Sequence, residues 1–509
     1  LGEWERGGKQ GLCPVPDEPT PAGGGSGAGR AFSVQRYGML QWGDLFTARQ
    51  KVGLSVLTRW NTEQGPPPTG EFLALAISRY ADGNAAGSTW LASYEKIQHV
   101  FSRQALPIVW DYAEANPFSG STKGLQSALD FLEDYVSTQT SVPLACGAAQ
   151  SADATNHPLP DQTAPVWFTD PPYYDAVPYA DLSDFFFVWL KRALPGHPLL
   201  RDSFDPTNLL TPKRREAVQD ETKRDNGHAK DRAWFEDIMA CAFAEGRRVL
   251  REDGVGCVVF AHKTTEGWEA LLSGMIRGGW TITGSWPLVT EAGNRLRAFE
   301  SAALATSVHL ICRPRPNDAA VGDWVDVLRE LPNRVGDWME RLQSEGVRGA
   351  DLVFACIGPA LEIFSRYAKV ETADGREVAL AAYLEKVWEV VGRSALAQVL
   401  GTAEAKARNG AAGAVEEDAR LTALFLWTLQ STNGEVAENE NSESADDEPA
   451  DDEEEDEGTS RGKAKGFTLI FDVVRRFAQP LGIELPKWEG RVIETKKGVV
   501  RLLPIAERA

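Results

Sequence analysis

The sequence predicts an α/β fold: part of a Rossmann-like sheet, flanked by helical regions and closed by a small C-terminal module. Three observations predict it. Between residues 165 and 316, short apolar runs alternate with stretches whose apolar residues recur every three or four positions, the pattern of βαβ units and a parallel sheet. On either side, over 41–164 and 317–434, helical periodicity predominates. An acidic stretch at 435–465 then sets off a short basic module at 466–509.

Residues 1–40 are rich in Gly and Pro. Their "PTPAGGGSGAGR" is not a dinucleotide loop, because Pro19 and Pro21 precede it and the G-x-G-x-x-G spacing fails; it reads as flexible chain. "GDLFTARQKVGLSVLTRW" and "FLALAISRYADG" have helical spacing, and "SYEKIQHVFSRQAL" reads as a further helix that Pro107 ends. "STKGLQSALDFLEDYV" is an amphipathic helix with Ser121 as its cap. "PVWFTD" is a short apolar strand ending at Asp170, and a helix follows from Asp181 or Ser183. The "FFFVWL" of that helix has core spacing. Next come a long helix, "AWFEDIMACAFAEGRRVLRED", and a buried strand, "GVGCVVFAHK". The helix "GWEALLSGMIRGG" precedes two neighbouring strands, "WTITGSWPLVT" and "SVHLICRPR", suited to an antiparallel edge hairpin. "DLVFACIGPALEIF" reads as core packing, "FTLIFDVVRRFAQPLGIEL" as helix and "RVIETKKGVVRLL" as a short hairpin.

Composition narrows the function classes. In 509 residues there is no run of eighteen apolar residues, so no membrane span is expected, and no secretory signal opens the chain. Six scattered cysteines without a C-x-x-C pair argue against a disulfide framework or zinc ribbon and suit a cytoplasmic protein; no metal site is expected. The net charge of −20 is uneven: fourteen acidic residues lie between Glu435 and Glu457, and without them −6 remains. That run has Val436 as its one large apolar residue and reads as a disordered linker. A DNA partner is thus compatible with the charge, given local basic patches at Lys213–Arg224 and at Arg295 and Arg297.

Asp170-Pro171-Pro172-Tyr173 falls where ligands bind in open α/β sheets, beyond the carboxyl end of a strand. These residue types suit methyl transfer to an exocyclic amine on a planar base. Asp170 can accept a hydrogen bond from the amine, the Pro171 carbonyl can accept the second amine hydrogen, and Pro172 keeps the turn rigid without a spare donor. Tyr173 offers a face for an extruded base. Aligning the amine nitrogen, whose lone pair is delocalised into the ring, with the methyl donor is most of the work.

"FTDPPYYD" and the element order around it resemble the S-adenosylmethionine-dependent amino-methyltransferases. More closely, "DPPYYDAVPYADLSDFFFVWLKRAL", "LTPKRREAV", "FAHKTTEGWEALL", "WPLVTEAGNRLRA", "RQALPIVWDYAEANPFSG", "RGADLVFACIGPALEIFSRY" and the terminal "KKGVVRLL" resemble the large prokaryotic adenine-specific DNA methylases. Members of that family carry an extra uncharacterised domain, often a zinc ribbon, and lie near restriction and phage-defence genes. The resemblance implies a partial Rossmann-like methyltransferase sheet, S-adenosylmethionine as cofactor, double-stranded DNA as partner, and other defence-system subunits as possible companions. It implies Asp170, Pro171, Pro172 and Tyr173 in catalysis, and Asp170, Trp110, Asp111 and Asn116 at the cofactor. Lys263, Asn294, Arg295 and Arg297 are the candidates for DNA contact, with His262 beside Lys263 at the ligand-facing end of its strand. N6-adenine is the leading target; N4-cytosine stays open, as does a non-catalytic DNA-binding or scaffold role. One departure stands out. No glycine-rich cofactor loop precedes Val166 and the chain opens on Leu1, so it reads as the C-terminal part of a longer methylase.

Overall fold

The computed structural model describes residues 1–23, 31–101, 104–120, 122–141, 145, 147–262, 265–289, 306–345, 347, 352, 355–399, 419, 421–422, 468–470, 474, 483–496, 499–504 and 507. The chain divides into two interleaved units, Leu1–Asp153 with Tyr174–Phe235, and Ala154–Tyr173 with Glu236–Ala509.

The first unit is mainly helical: α1 (Gly2–Arg6), α2 (Ala48–Gln64), α3 (Thr69–Gly83), α4 (Leu125–Thr140) and α5 (Tyr179–Ala193), with β4 (Asp220–Asp225) and β5 (His228–Lys230) forming a short antiparallel pair after α5. A capping box starts α2, in which Thr47 accepts from the Gln50 N–H and the Gln50 side chain accepts in return. α5 is the core element. Phe185, Val188 and Trp189 are buried with Trp42, Phe46, Leu54 and Tyr80, so "FFFVWL" is core as its spacing predicts. Phe46 stacks on Phe185 at 5.5 Å and meets Trp189 edge-on at 5.3 Å.

Three features of this unit differ from the sequence reading. Residues 90–97 form a small hairpin, β1 (Trp90–Leu91) and β2 (Lys96–Ile97), turning through Glu95 at positive φ, where a helix was expected. Asp82 holds the chain in that path: its carboxylate accepts from Val100 N–H and contacts His99. Part of the Gly/Pro-rich opening is locked in place. Arg192 donates to the Cys13 carbonyl at 2.7 Å and to both oxygens of the buried Glu18. Burial works against the Glu18 charge, but Arg192 and Lys191 outweigh it and hold the carboxyl below its ordinary range. Finally, α4 starts only at Leu125 with Gly124 at its cap; Ser121 lies outside the described residues.

The second unit carries a mixed four-stranded sheet in the order β3-β6-β8-β7. β3 (Ala164–Thr169) runs parallel to β6 (Leu250–Phe260), and β8 (Thr306–Pro314) is antiparallel to both β6 and β7 (Trp280–Val289). The expected antiparallel pair is present, and its second strand inserts between β6 and β7. α6 (Arg232–Val249), whose first four residues belong to the first unit, and α7 (Thr265–Arg277) supply the crossovers. α8 (Trp324–Ser344), the buried α9 (Ile357–Ser365) and α10 (Leu380–Val399) follow. β9 (Val321–Asp323) pairs in parallel with β10 (Lys369–Glu371). Gly358 of α9 sits against Ser285 of β7 where a side chain would not fit, so the described residues of "DLVFACIGPALEIF", Leu352 and 355–364, pack as core. At the C-terminus β12 (Ile493–Lys496) and β13 (Val499–Leu502) form the expected hairpin, while β11 (Thr468–Ile470) is strand in a stretch read as helix, because it pairs with β13. The acidic stretch 435–465 lies outside the described residues.

Candidate active site at the end of strand β3

β3 is fixed through one residue. Trp167 stacks on Trp280 at 5.1 Å and meets Phe243 of α6 edge-on at 5.8 Å. Gly246 of α6 leaves the space for its indole, since a Cβ there would collide with the ring. The opposite side of the strand is open: Val166 and Phe168 are 59% and 60% exposed. Among the described residues the outer edge of β3 has no partner strand.

From this clamped strand the chain emerges as Asp170, which is exposed, then the buried Pro171, then the half-buried Pro172 and Tyr173. The Tyr173 ring meets Phe260, the last residue of β6, edge-on at 5.4 Å. Phe260 in turn lies parallel to His262 at 6.1 Å and edge-on to Trp268 at 5.0 Å. The His262 carbonyl accepts from the Trp268 indole, and Gly267 leaves room for the imidazole. The carboxyl ends of β3 and β6 thus gather a solvent-facing carboxylate, a proline corner and a three-ring ladder.

After Tyr173 the chain enters the first unit. Tyr174 has φ +54, a left-handed conformation that a bulky residue seldom adopts. It is buried edge-on against Phe235 at 5.1 Å, and its carbonyl accepts from Gln219 N–H. α5 then begins without a cap from its own N-cap residue, Pro178. Glu216 substitutes, accepting from Ala180 N–H at 2.7 Å. Around it, Thr211 donates through its N–H and hydroxyl to the buried Asp184, which also pairs with Lys213 at 2.6 Å. Lys223 pairs with Asp181. The deeply buried Lys230 donates to the carbonyls of Lys213 and Glu216 at 2.8 and 2.7 Å and lies over Trp234. Burial lowers the Lys230 amine to about 8 and raises the Glu216 carboxyl. This ionic collar explains the clustering of "LTPKRREAV", and it engages several of the cations in Lys213–Arg224, the run expected to offer a phosphate-binding patch. Lys213, Arg215 and Lys223 pair with Asp184, Asp153 and Asp181, and Arg214 lies 3.8 Å from Asp225.

The other candidates are dispersed. Trp110, Asp111 and Asn116 belong to the first unit, on a loop pinned at Glu114 by Thr47 and Arg49 and at Ala115 by Asn84. Trp110 is 92% exposed and Asp111 is exposed; the Asn116 side-chain oxygen accepts from Phe118 N–H. Lys263, Asn294, Arg295 and Arg297 lie outside the described residues. Among the described residues no cluster of metal-ligating side chains occurs, and no helix is long and apolar enough to cross a membrane. Phe260 and the Glu216–Lys230 collar escape sequence reasoning; the first looks like ordinary strand core, and the second like surface charge.

No family model matches the chain, and no curated protein or solved structure matches it significantly. The family likeness therefore rests on the motifs themselves.

Proposed function

We propose that the protein is an S-adenosylmethionine-dependent DNA methyltransferase acting on an exocyclic base amine, N6 of adenine first. The observation that carries this reading is the placement of Asp170-Pro171-Pro172-Tyr173 at the carboxyl end of β3, beside the end of the parallel strand β6, with the carboxylate exposed and Tyr173 held by Phe260. The same reading carries double-stranded DNA as partner, other defence-system subunits as companions, and a cytoplasmic setting.

The proposed chemistry divides simply. The cofactor, when bound, would supply an electrophilic methyl group; Asp170 is the residue of this turn proposed to face it, and the proposal for Trp110, Asp111 and Asn116 rests on the motif resemblance alone, with the Asn116 oxygen already engaged. Asp170 accepts a hydrogen bond from the target amine and draws electron density towards its nitrogen. The Pro171 carbonyl accepts the second amine hydrogen, and Tyr173 stacks on the extruded base, which fixes the nitrogen in line for attack. A cytosine amine meets the same acceptors.

One observation favours a second reading, a non-catalytic DNA-binding or scaffold subunit: the unpaired outer edge of β3 among the described residues, with its exposed apolar side chains. Incubating the full chain with unmethylated plasmid DNA and tritiated S-adenosylmethionine, then digesting to nucleosides, separates these readings. Label in N6-methyladenine supports the first proposal and label in N4-methylcytosine moves the target. No label, together with DNA retention in a gel-shift assay, supports the scaffold.

A further inference from the structure

We infer that Phe260, His262 and Gly267 are positioning residues that set the height and tilt of the Tyr173 ring. This rests on the reading of Tyr173 as the residue that stacks on the extruded base.

The three rings form one ladder within the second unit. Tyr173 meets Phe260 at 5.4 Å with planes inclined 73°, and Phe260 lies nearly parallel to His262 at 6.1 Å and 21°. Phe260 is fully buried and His262 nearly so. Neither is free to follow Tyr173; they fix it. Phe260 is gripped from a second side by Trp268, edge-on at 5.0 Å, and the same Trp268 indole donates to the His262 carbonyl at 3.0 Å. The imidazole can occupy its place only because residue 267 has no side chain: a Cβ there would collide with Nδ1, Cγ and Cε1 together. Since this glycine lies in the first turn of α7, where glycine is a poor helix former, its small size answers to the ring beside it. An edge-to-face contact is directional, so displacing the lower ring tilts the upper one. Stacking on a flipped base depends on that tilt, and methyl transfer depends on where stacking leaves the amine.

The test uses the full chain labelled with 3-fluorotyrosine, with the Tyr173 resonance assigned by its loss in Tyr173→Phe. Gly267→Ala and Phe260→Leu should shift that resonance. On unmethylated plasmid DNA both should lower kcat at least tenfold, with KM within twofold and a folded circular dichroism spectrum. His262→Phe, which keeps a ring of similar size, should restore most of the rate lost in His262→Leu. An unmoved Tyr173 resonance in Gly267→Ala overturns the ladder. A moved resonance with wild-type kcat overturns the positioning role and leaves the ladder as packing. A wild-type chain that transfers no methyl group to DNA overturns the functional reading instead, while the resonance still judges the ladder.

Discussion

The indole of Trp167 lies 5.1 Å from that of Trp280, their planes inclined by 21°, so the strand that ends in the Asp-Pro-Pro-Tyr turn is clamped to the start of β7 across the sheet. The Trp280 N–H donates to the Phe243 carbonyl, which ties the same clamp to α6. The position of Asp170 is set three residues upstream of it.

Trp167→Ala should therefore cost about 3 kcal/mol of stability, in the range for truncating a large aromatic side chain, and should loosen the turn. Urea unfolding gives the first quantity. An unchanged midpoint would show that the clamp contributes nothing.

Asp170→Ala and Tyr173→Ala should each abolish methyl transfer while leaving the melting temperature within a few degrees of wild type, because Asp170 is exposed and Tyr173 only half-buried. Methylation at a near wild-type rate in Asp170→Ala would refute the assignment.

Lys230 should impose a pH-dependent cost. Its amine titrates at about 8 when folded against 10.5 for an ordinary lysine, through burial, so the folded chain holds this proton less tightly than the unfolded one. The cost is complete below about pH 8 and is relieved as pH rises towards 10.5. Lys230→Met removes the titrating group, so its stability relative to wild type should fall by about 2 kcal/mol between pH 7.5 and 10. Parallel pH profiles for the two proteins would contradict this.

The open side of β3 should make the chain self-associate. Val166→Lys with Phe168→Thr places a charge and a hydroxyl on a surface that is now apolar, and should lower the concentration-dependent mass measured by light scattering. An unaltered mass would show that this strand is not the contact.

Much of the architecture was legible because it follows from local periodicity. The aromatic spacing of α5, the strand ending at Asp170 and the β7–β8 pair could each be read from a dozen residues. What was not legible depends on partners distant in sequence. The helix expected through Ile97 gives way to a hairpin because Asp82 captures His99 and Val100. The opening segment is ordered by Arg192, more than 170 residues further on. The basic run after Pro212 looked ready for phosphate, but its carboxylate partners come from two other places in the chain, Asp181 and Asp184 from α5 and Asp153 from before β3. The Asp-Pro-Pro-Tyr turn was legible as the end of a strand; the rings beneath Tyr173 were not, since a buried Phe at the end of a strand carries no mark of what rests on it.

The interleaving of the two units has a consequence for biosynthesis. Residues 154–173, with the Asp-Pro-Pro-Tyr turn at their end, are translated before the first unit has received its central helix α5, and their partner strand β6 is still to come. The first unit closes only when Phe235 has left the ribosome, and β3 waits for Leu250–Phe260 to pair. During that interval the apolar strand beside the motif has no sheet to join, so nascent-chain chaperones should bind hardest while residues 174–260 are being made. No single cut in the sequence can release either unit whole.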